Sequence, residues 1–167
     1  MKTISLIGYS GSGKTFFIEQ AIKKLKDQLN LNSGVIKNVH THPVDVEGKD
    51  SHRFIVSGAE FALIKNNKKQ NALFFNKIVD LELLIEWIEK GPFEVDVLFI
   101  EGFRNLQISS ILCVQNEADI KSQISNEVKL ISGLISTKKD FTKKYHEIPV
   151  INIENDFQIF KGTFQIE

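Results

Sequence analysis

The sequence holds a single cysteine, Cys113, so no disulfide can close within the chain, and a reducing compartment suits it. It contains no stretch approaching the ~20 apolar residues of a membrane-spanning helix. It has no surplus of either charge: 21 basic and 21 acidic side chains cancel. That balance argues against a basic nucleic-acid-binding protein and against an acidic tail, so neither nucleic acid nor membrane is expected as a partner. Arginine is scarce, with only Arg53 and Arg104 present, which disfavours a kinase that clamps two phosphate groups with several guanidinium groups. Internal repeats, low-complexity tracts and long linkers are also missing. The opening Met1-Lys2-Thr3 leads into an apolar run too short for a signal-peptide core, and no small-residue cleavage site follows. A cytoplasmic location is the expectation.

What is there is an ordinary globular composition: 167 residues, 42% apolar and 25% charged. This suits one domain over residues 1–167 with a substantial core. The thirteen phenylalanines are expected to fill that core.

Hydrophobic patterning alternates strands with helices. Thr3 to Ile7 reads as a buried strand, and Ile18, Ala21, Ile22, Leu25 and Leu29 recur at helical spacing. Val35 to Val39 is a second strand, and Thr41 to Asp50 a polar loop. Ser51 to Ser57 reads as a short helix capped by Asp50 or Ser51. Phe61 to Ile64 and Ala72 to Phe75, separated by polar Lys65 to Asn71, predict a β-hairpin. Asp80 caps a helix bearing Leu81, Leu84, Ile85 and Ile88, which Gly91-Pro92 ends. Val95 to Ile100, Ile108 to Val114, Val128 to Ile135 and Pro149 to Ile153 are further strands, with a short C-terminal helix after them. The fold class expected is α/β: a P-loop NTPase-like three-layer sandwich with a mostly parallel sheet, plus a hairpin around residues 60–75.

The most specific motif is Gly8-Tyr9-Ser10-Gly11-Ser12-Gly13-Lys14-Thr15, which fits G-x-x-x-x-G-K-[ST] between a strand and a helix. Its glycines let the backbone curl so that successive N–H groups, with the positive end of the following helix, form an anion nest. Gly8, Ser10, Gly11, Ser12, Gly13, Lys14, Thr15 and Phe16 are therefore the expected nucleotide-binding residues. Lys14 reaches the β- and γ-phosphates, and the Thr15 hydroxyl ligates magnesium. The rival G-x-G-x-x-G reading fails, because Phe16 stands where its third glycine belongs. The alternative to a cradle is a plain glycine turn.

Glu101, at the carboxyl end of the apolar strand before Gly102, is the second candidate metal ligand; the alternative is a solvated loop acid. Gly102 lets backbone approach the phosphates. Asp45 and Asp50, in the polar loop, are each either an active-site acid or a turn residue. Arg104 is a candidate catalytic phosphate contact, or acts across a subunit interface. His40, His42 and His52 cluster in sequence, but without a nearby cysteine they suit phosphate or substrate contacts better than a transition metal. Thr137-Lys138-Lys139-Asp140 follows an apolar strand and matches N/T-K-x-D. There the Asp140 carboxylate accepts from guanine N1–H and the exocyclic amine, which adenine cannot satisfy, and the Lys138 stem packs along the base. The alternative is a charged helix start.

The order of these motifs resembles the molybdopterin-guanine dinucleotide biosynthesis adaptor family, MobB. The resemblance is carried by Gly8 to Thr15, by Val35-Ile36-Lys37-Asn38-Val39-His40, by Gly48-Lys49-Asp50-Ser51-His52-Arg53 with Ser57-Gly58-Ala59, and by Ile100-Glu101-Gly102-Phe103-Arg104. It covers roughly residues 1–114. The chain departs from the family pattern at Asn38 and at His40-Thr41, where the family usually has histidines. The resemblance implies a GTP- and magnesium-binding homodimer with feeble GTP hydrolysis that assists a molybdenum cofactor guanylyltransferase, with molybdopterin as a further ligand. It also implies that Lys14, Thr15 and Glu101 serve nucleotide and metal, and that Asp50 is an active-site acid. The competing readings are a P-loop small-molecule kinase, a metal-delivery GTPase, and a non-catalytic P-loop module.

Overall fold

The computed structural model describes residues 1–68, 70–138 and 141–167. These residues form two compact units, the first built from Met1–Asn38 and Phe93–Glu167, the second from Val39–Pro92.

The first unit is an α/β sandwich around a five-stranded, all-parallel sheet. Its strands are β1 (Lys2–Ile7), β2 (Ser33–Lys37), β5 (Val97–Glu101), β6 (Ser110–Cys113) and β7 (Val128–Ser132), in the spatial order β2-β5-β1-β6-β7. Parallel strands buried on both faces read as apolar runs, as the sequences of β1, β5, β6 and β7 do, whereas β2, at the sheet edge, is only partly buried. Alternate residues face opposite layers. Ile4, Leu6, Phe99 and Ile111 pack against Phe17, Ala21 and Leu25 of α1 (Lys14–Leu29) and against Phe157, Phe160 and Phe164 of α5 (Phe157–Phe164). On the other face, Leu112, Val114 and Ile131 pack with Ile120 of α4 (Glu117–Gln123).

Phe160 anchors the first layer, with Phe17 edge-on at 5.7 Å and Phe164 at 5.5 Å between ring centroids. The expectation that phenylalanines fill the core needs correction. Phe16, Phe54, Phe61, Phe75 and Phe93 are all exposed.

The second unit contains α2 (Asp50–Val56), the antiparallel hairpin β3 (Phe61–Lys65) and β4 (Asn71–Phe75), and α3 (Leu81–Lys90). The hairpin and both helices follow the sequence reading closely. Lys49, not Asp50 or Ser51, occupies the N-cap of α2. Asp50 is instead the first helical residue, where a carboxylate meets the positive end of the helix.

Other details differ from the sequence expectations, and β2 spans Ser33–Lys37 rather than Val35 to Val39. The run Val128 to Ile135 breaks after Ser132, because Gly133 turns at φ +93° into a 3₁₀ turn, Leu134–Thr137. Pro149 to Ile153 does not form a strand of the main sheet. Pro149 pairs with Lys144 in a two-residue hairpin, β8 (Lys144–Tyr145) with β9 (Ile148–Pro149). Only Val150 bridges onward to Ile131. The α4 helix was not expected, although Asn116 caps it by accepting from the Asp119 N–H at 3.1 Å.

Candidate functional site

Parallel strands deliver their functional residues at their carboxyl ends, and β1, β5 and β2 do so side by side here. Past the end of β1 the chain makes the glycine loop. Gly8, Gly11 and Gly13 all adopt positive φ, and Gly13 forms the N-cap of α1. A Cβ at Gly8 would lie 2.1 Å from the Cys113 carbonyl oxygen, so the loop fits its bed only with glycine there. The loop is braced from β7: the Leu134 N–H donates to the Ser12 carbonyl at 3.1 Å. A Cβ on Gly133 would come within 2.3 Å of that same oxygen. Sequence reasoning missed Gly133. Its signal was a glycine directly after an apolar strand.

Lys14 opens α1 and folds back over the loop, donating to the carbonyls of Gly8 at 3.0 Å and Tyr9 at 2.8 Å. Burial pushes its pKa below the usual lysine value, against the opposing pull of Glu101. A bound anion would reverse that balance by giving the ammonium a counter-charge.

Thr15 and Glu101 converge, as their motif positions suggested. The Thr15 hydroxyl donates to both carboxylate oxygens of Glu101, at 3.2 and 3.3 Å. Glu101 is 6% exposed, so it is not a solvated loop acid. Two hard oxygen donors side by side at the start of a phosphate nest fit the needs of magnesium.

The sequence reading assigned no role to Lys37 at the end of β2. Its Nζ lies 3.3 Å from Glu101 Oε1 and 3.3 Å from Thr15 Oγ1. It is a strand-end charge just as Glu101 is, and the pairing of Lys37 with Glu101 in the β2–β5 register makes them neighbours. Gly102 turns at φ +87°, where a Cβ would press on the Asn38 carbonyl at 3.2 Å. Arg104 lies over the Tyr9 ring at 5.4 Å.

On the far side of the loop, Gly13, Phe16, Gly133, Leu134, Thr137 and Asn152 are among the residues lining a mainly apolar cavity of about 190 Å³. Thr137 donates to the Leu134 carbonyl at 2.8 Å, and Lys138 is exposed. Asp140, the residue expected to read guanine, lies outside the described residues, as does Lys139.

The remaining candidates belong to the second unit. Asp45 Oδ1 accepts from the Ser51 hydroxyl at 2.9 Å and the Val46 N–H at 2.8 Å, the pattern of a turn acid. Asp50 is exposed and pairs with Arg53 at 3.8 Å. His42 contacts the Pro43 carbonyl at 3.3 Å. Among the described residues, no three His, Cys, Asp or Glu side chains converge as a metal cluster, and no helix is long and apolar enough to cross a membrane.

A parallel sheet with a glycine nest at the end of β1 and an acid at the end of β5 defines a P-loop NTPase-like fold. Solved structures agree. The crystal structure of Bacillus subtilis MobB superposes with a TM-score of 0.79 at 24% identity, over 100% of both chains. A MobB protein homologue from Bacillus stearothermophilus does so with a TM-score of 0.69 at 16% identity, over 99% of this chain and 97% of that one. The family model for MobB, molybdopterin guanine dinucleotide synthesis protein B, matches residues 3–137. The chain therefore belongs to the MobB family, the adapters of molybdopterin guanine dinucleotide biosynthesis. The probable molybdopterin-guanine dinucleotide biosynthesis adapter protein of Bacillus subtilis is 27% identical over 91% of this chain and 86% of its own length. The adapter protein of Haemophilus influenzae is 32% identical over 68% of this chain and 64% of its own length.

Proposed function

We propose that the chain is a cytoplasmic, GTP- and magnesium-binding accessory protein that assists a guanylyltransferase in forming molybdopterin guanine dinucleotide. The observation that carries the nucleotide reading is the convergence of Thr15 and the buried Glu101, 3.2 Å apart, at the mouth of the glycine nest. Gly8, Ser10, Gly11, Ser12 and Gly13 line that nest, and Gly102 admits backbone close to the phosphates. Lys14 exchanges the Gly8 and Tyr9 carbonyls for β- and γ-phosphate oxygens. Arg104, held over Tyr9, adds a second cation beside the loop. Thr15 and Glu101 would hold the magnesium, which supplies charge neutralisation at the phosphates. Hydrolysis is weak in this reading, as the family resemblance implies, and rests on positioning and electrostatics. Asp50 is retained as the candidate acid.

Base selection is proposed to come from Phe16, Thr137, Lys138 and Asp140; of these, Phe16 and Thr137 line the apolar cavity. Calorimetry of GTP against ATP with magnesium, on wild type and Asp140→Ala, tests it. GTP preference lost in the variant supports guanine reading. Equal ATP binding by the wild type would sink it and favour a small-molecule kinase.

Self-association is proposed to run through the hairpin. Phe61 stands opposite Phe75 and Leu63 opposite Leu73, so one face of β3–β4 is apolar. Phe61 is 59% and Leu63 61% exposed, and exposed apolar faces mark association surfaces. A Leu63→Lys chain that sediments as the wild-type dimer would count against this surface.

A further inference from the structure

The first unit carries a second cavity, of about 350 Å³, on the sheet face opposite α1. Ligand sites begin at roughly 300 Å³. Four serines are among its lining residues, and two of them are buried. Ser5 of β1 and Ser110 of β6 stand directly in register on neighbouring strands. Their sequence neighbours Ile4, Leu6 and Ile111 face the α1 and α5 layer, so by strand alternation both hydroxyls face the cavity. They are 1% and 3% exposed, and neither Oγ has a hydrogen-bond partner among the described residues.

A buried hydroxyl left unpaired is destabilising, because it gives up its bonds to water and gains none. Alanine or valine would fill these strand positions without that cost. Two such hydroxyls side by side point to a polar occupant. The walls suit a flat ring with polar edges. Ile7, Leu106 and Ile124 offer aliphatic surface to a flat ring, while Gln107 and Gln123 supply amides that both donate and accept. Arg104 and Glu127 add one charge of each sign, so the lining as a whole does not select a polyanion. Hydrogen bonding from Ser125 holds the Glu127 carboxyl below its usual pKa, keeping it an acceptor.

We propose that this cavity binds a fused 2-amino-4-oxopyrimidine ring, the head group shared by a guanine and a pterin. The adjacent ring N–H and amino group donate to Glu127, and the lactam carbonyl and ring nitrogens meet Ser5, Ser110 and the glutamine amides. Arg104 lines this cavity and also covers Tyr9 of the phosphate loop, so ring and nucleotide would share one side chain. The proposal stands on the cavity and does not require nucleotide binding by the loop.

The test uses two phosphate-free probes on the full chain. Pterin (2-amino-4-oxopteridine) is followed by its own fluorescence, and guanosine by competition and by calorimetry. Saturable binding is expected for wild type, with a loss of at least tenfold in Glu127→Gln and no binding in Ser5→Val/Ser110→Val. Glu127 lies at the surface, so its variant remains informative if the double serine variant fails to fold. Binding of pterin alone, or of guanosine alone, that Glu127→Gln weakens identifies which source carries the ring in this cavity. Lys14→Ala removes nucleotide binding under the P-loop reading and is expected to leave probe binding unchanged, which separates the two ideas. Failure of both probes to bind, or binding that Glu127→Gln leaves at wild-type strength, would overturn the proposal.

Discussion

Lys37 offers the sharpest test of how the metal position is organised. Its ammonium touches both proposed magnesium ligands, at 3.3 Å from Glu101 and 3.3 Å from Thr15. A cation already seated there must leave, or at least retreat, before a divalent ion can take the same oxygens. Substituting Lys37→Met keeps the aliphatic stem and deletes the charge. The gross attraction between unit charges at this separation is about 5 kcal/mol at an effective dielectric of 20 and about 1 kcal/mol in bulk water. The Lys37 side chain is 50% exposed while that of Glu101 is 8% exposed, so solvent screens one partner well and the other poorly. A net value near the low end, about 1.4 kcal/mol, is the reasonable figure, and that corresponds to roughly tenfold in an equilibrium constant.

The expected outcome is therefore that nucleotide-free Lys37→Met binds Mn²⁺, read by electron paramagnetic resonance, about tenfold more tightly than wild type. Thr15→Ala serves as the control that loses the ion. The same variant leaves a buried carboxylate without its cation, which costs about 1–3 kcal/mol. Its Tm should fall in metal-free buffer and recover when the divalent ion saturates the site. Mn²⁺ affinity that stays the same or weakens in Lys37→Met would refute the competition argument and leave Lys37 as a phosphate contact instead.

Gly133→Ala is expected to destabilise the protein by about 3 kcal/mol, a Tm loss of roughly 6–12 °C. The new Cβ meets the Ser12 carbonyl at 2.3 Å, whereas at Gly48, also at positive φ, no atom lies within 4 Å. Gly48→Ala should therefore cost only about 1 kcal/mol, and equal Tm losses for the two would contradict the bracing role of Gly133. Cys113 is fully buried in the core, and burial raises its pKa from 9.0 to about 12. Because the folded value exceeds the unfolded one, this contribution to stability is complete below pH 9 and disappears as pH rises toward 12, at up to about 1.4 kcal/mol per pH unit. Urea titrations across that range should show a shallower decline for Cys113→Ala, and parallel declines would remove the thiol from the account.

How far the site was legible follows from what a sequence can express. The glycine loop was readable because its chemistry is contiguous: eight residues, Gly8 to Thr15, carry the turn, the nest and the helix start together. Glu101 was readable because a buried run ending in an acid is a one-dimensional signal. Lys37 ends its strand in the same way, yet nothing local says that β2 lies against β5, or that their registers set Lys37 beside Glu101. The roles of Gly133 and Ser110 depend on the crossovers in the same way. The first matters only because β7 returns under the loop, and the second only because β6 pairs with β1 at Ser5. Phe61 and Phe75 were misjudged in the opposite direction. Hydrophobicity announced burial, but a two-stranded hairpin has two faces, and its own unit leaves these rings exposed. Strand-end chemistry is thus written locally, whereas which ends meet is decided by the crossovers. In this chain the crossovers set a lysine, a threonine and a glutamate from three separate elements within 3.3 Å of one another.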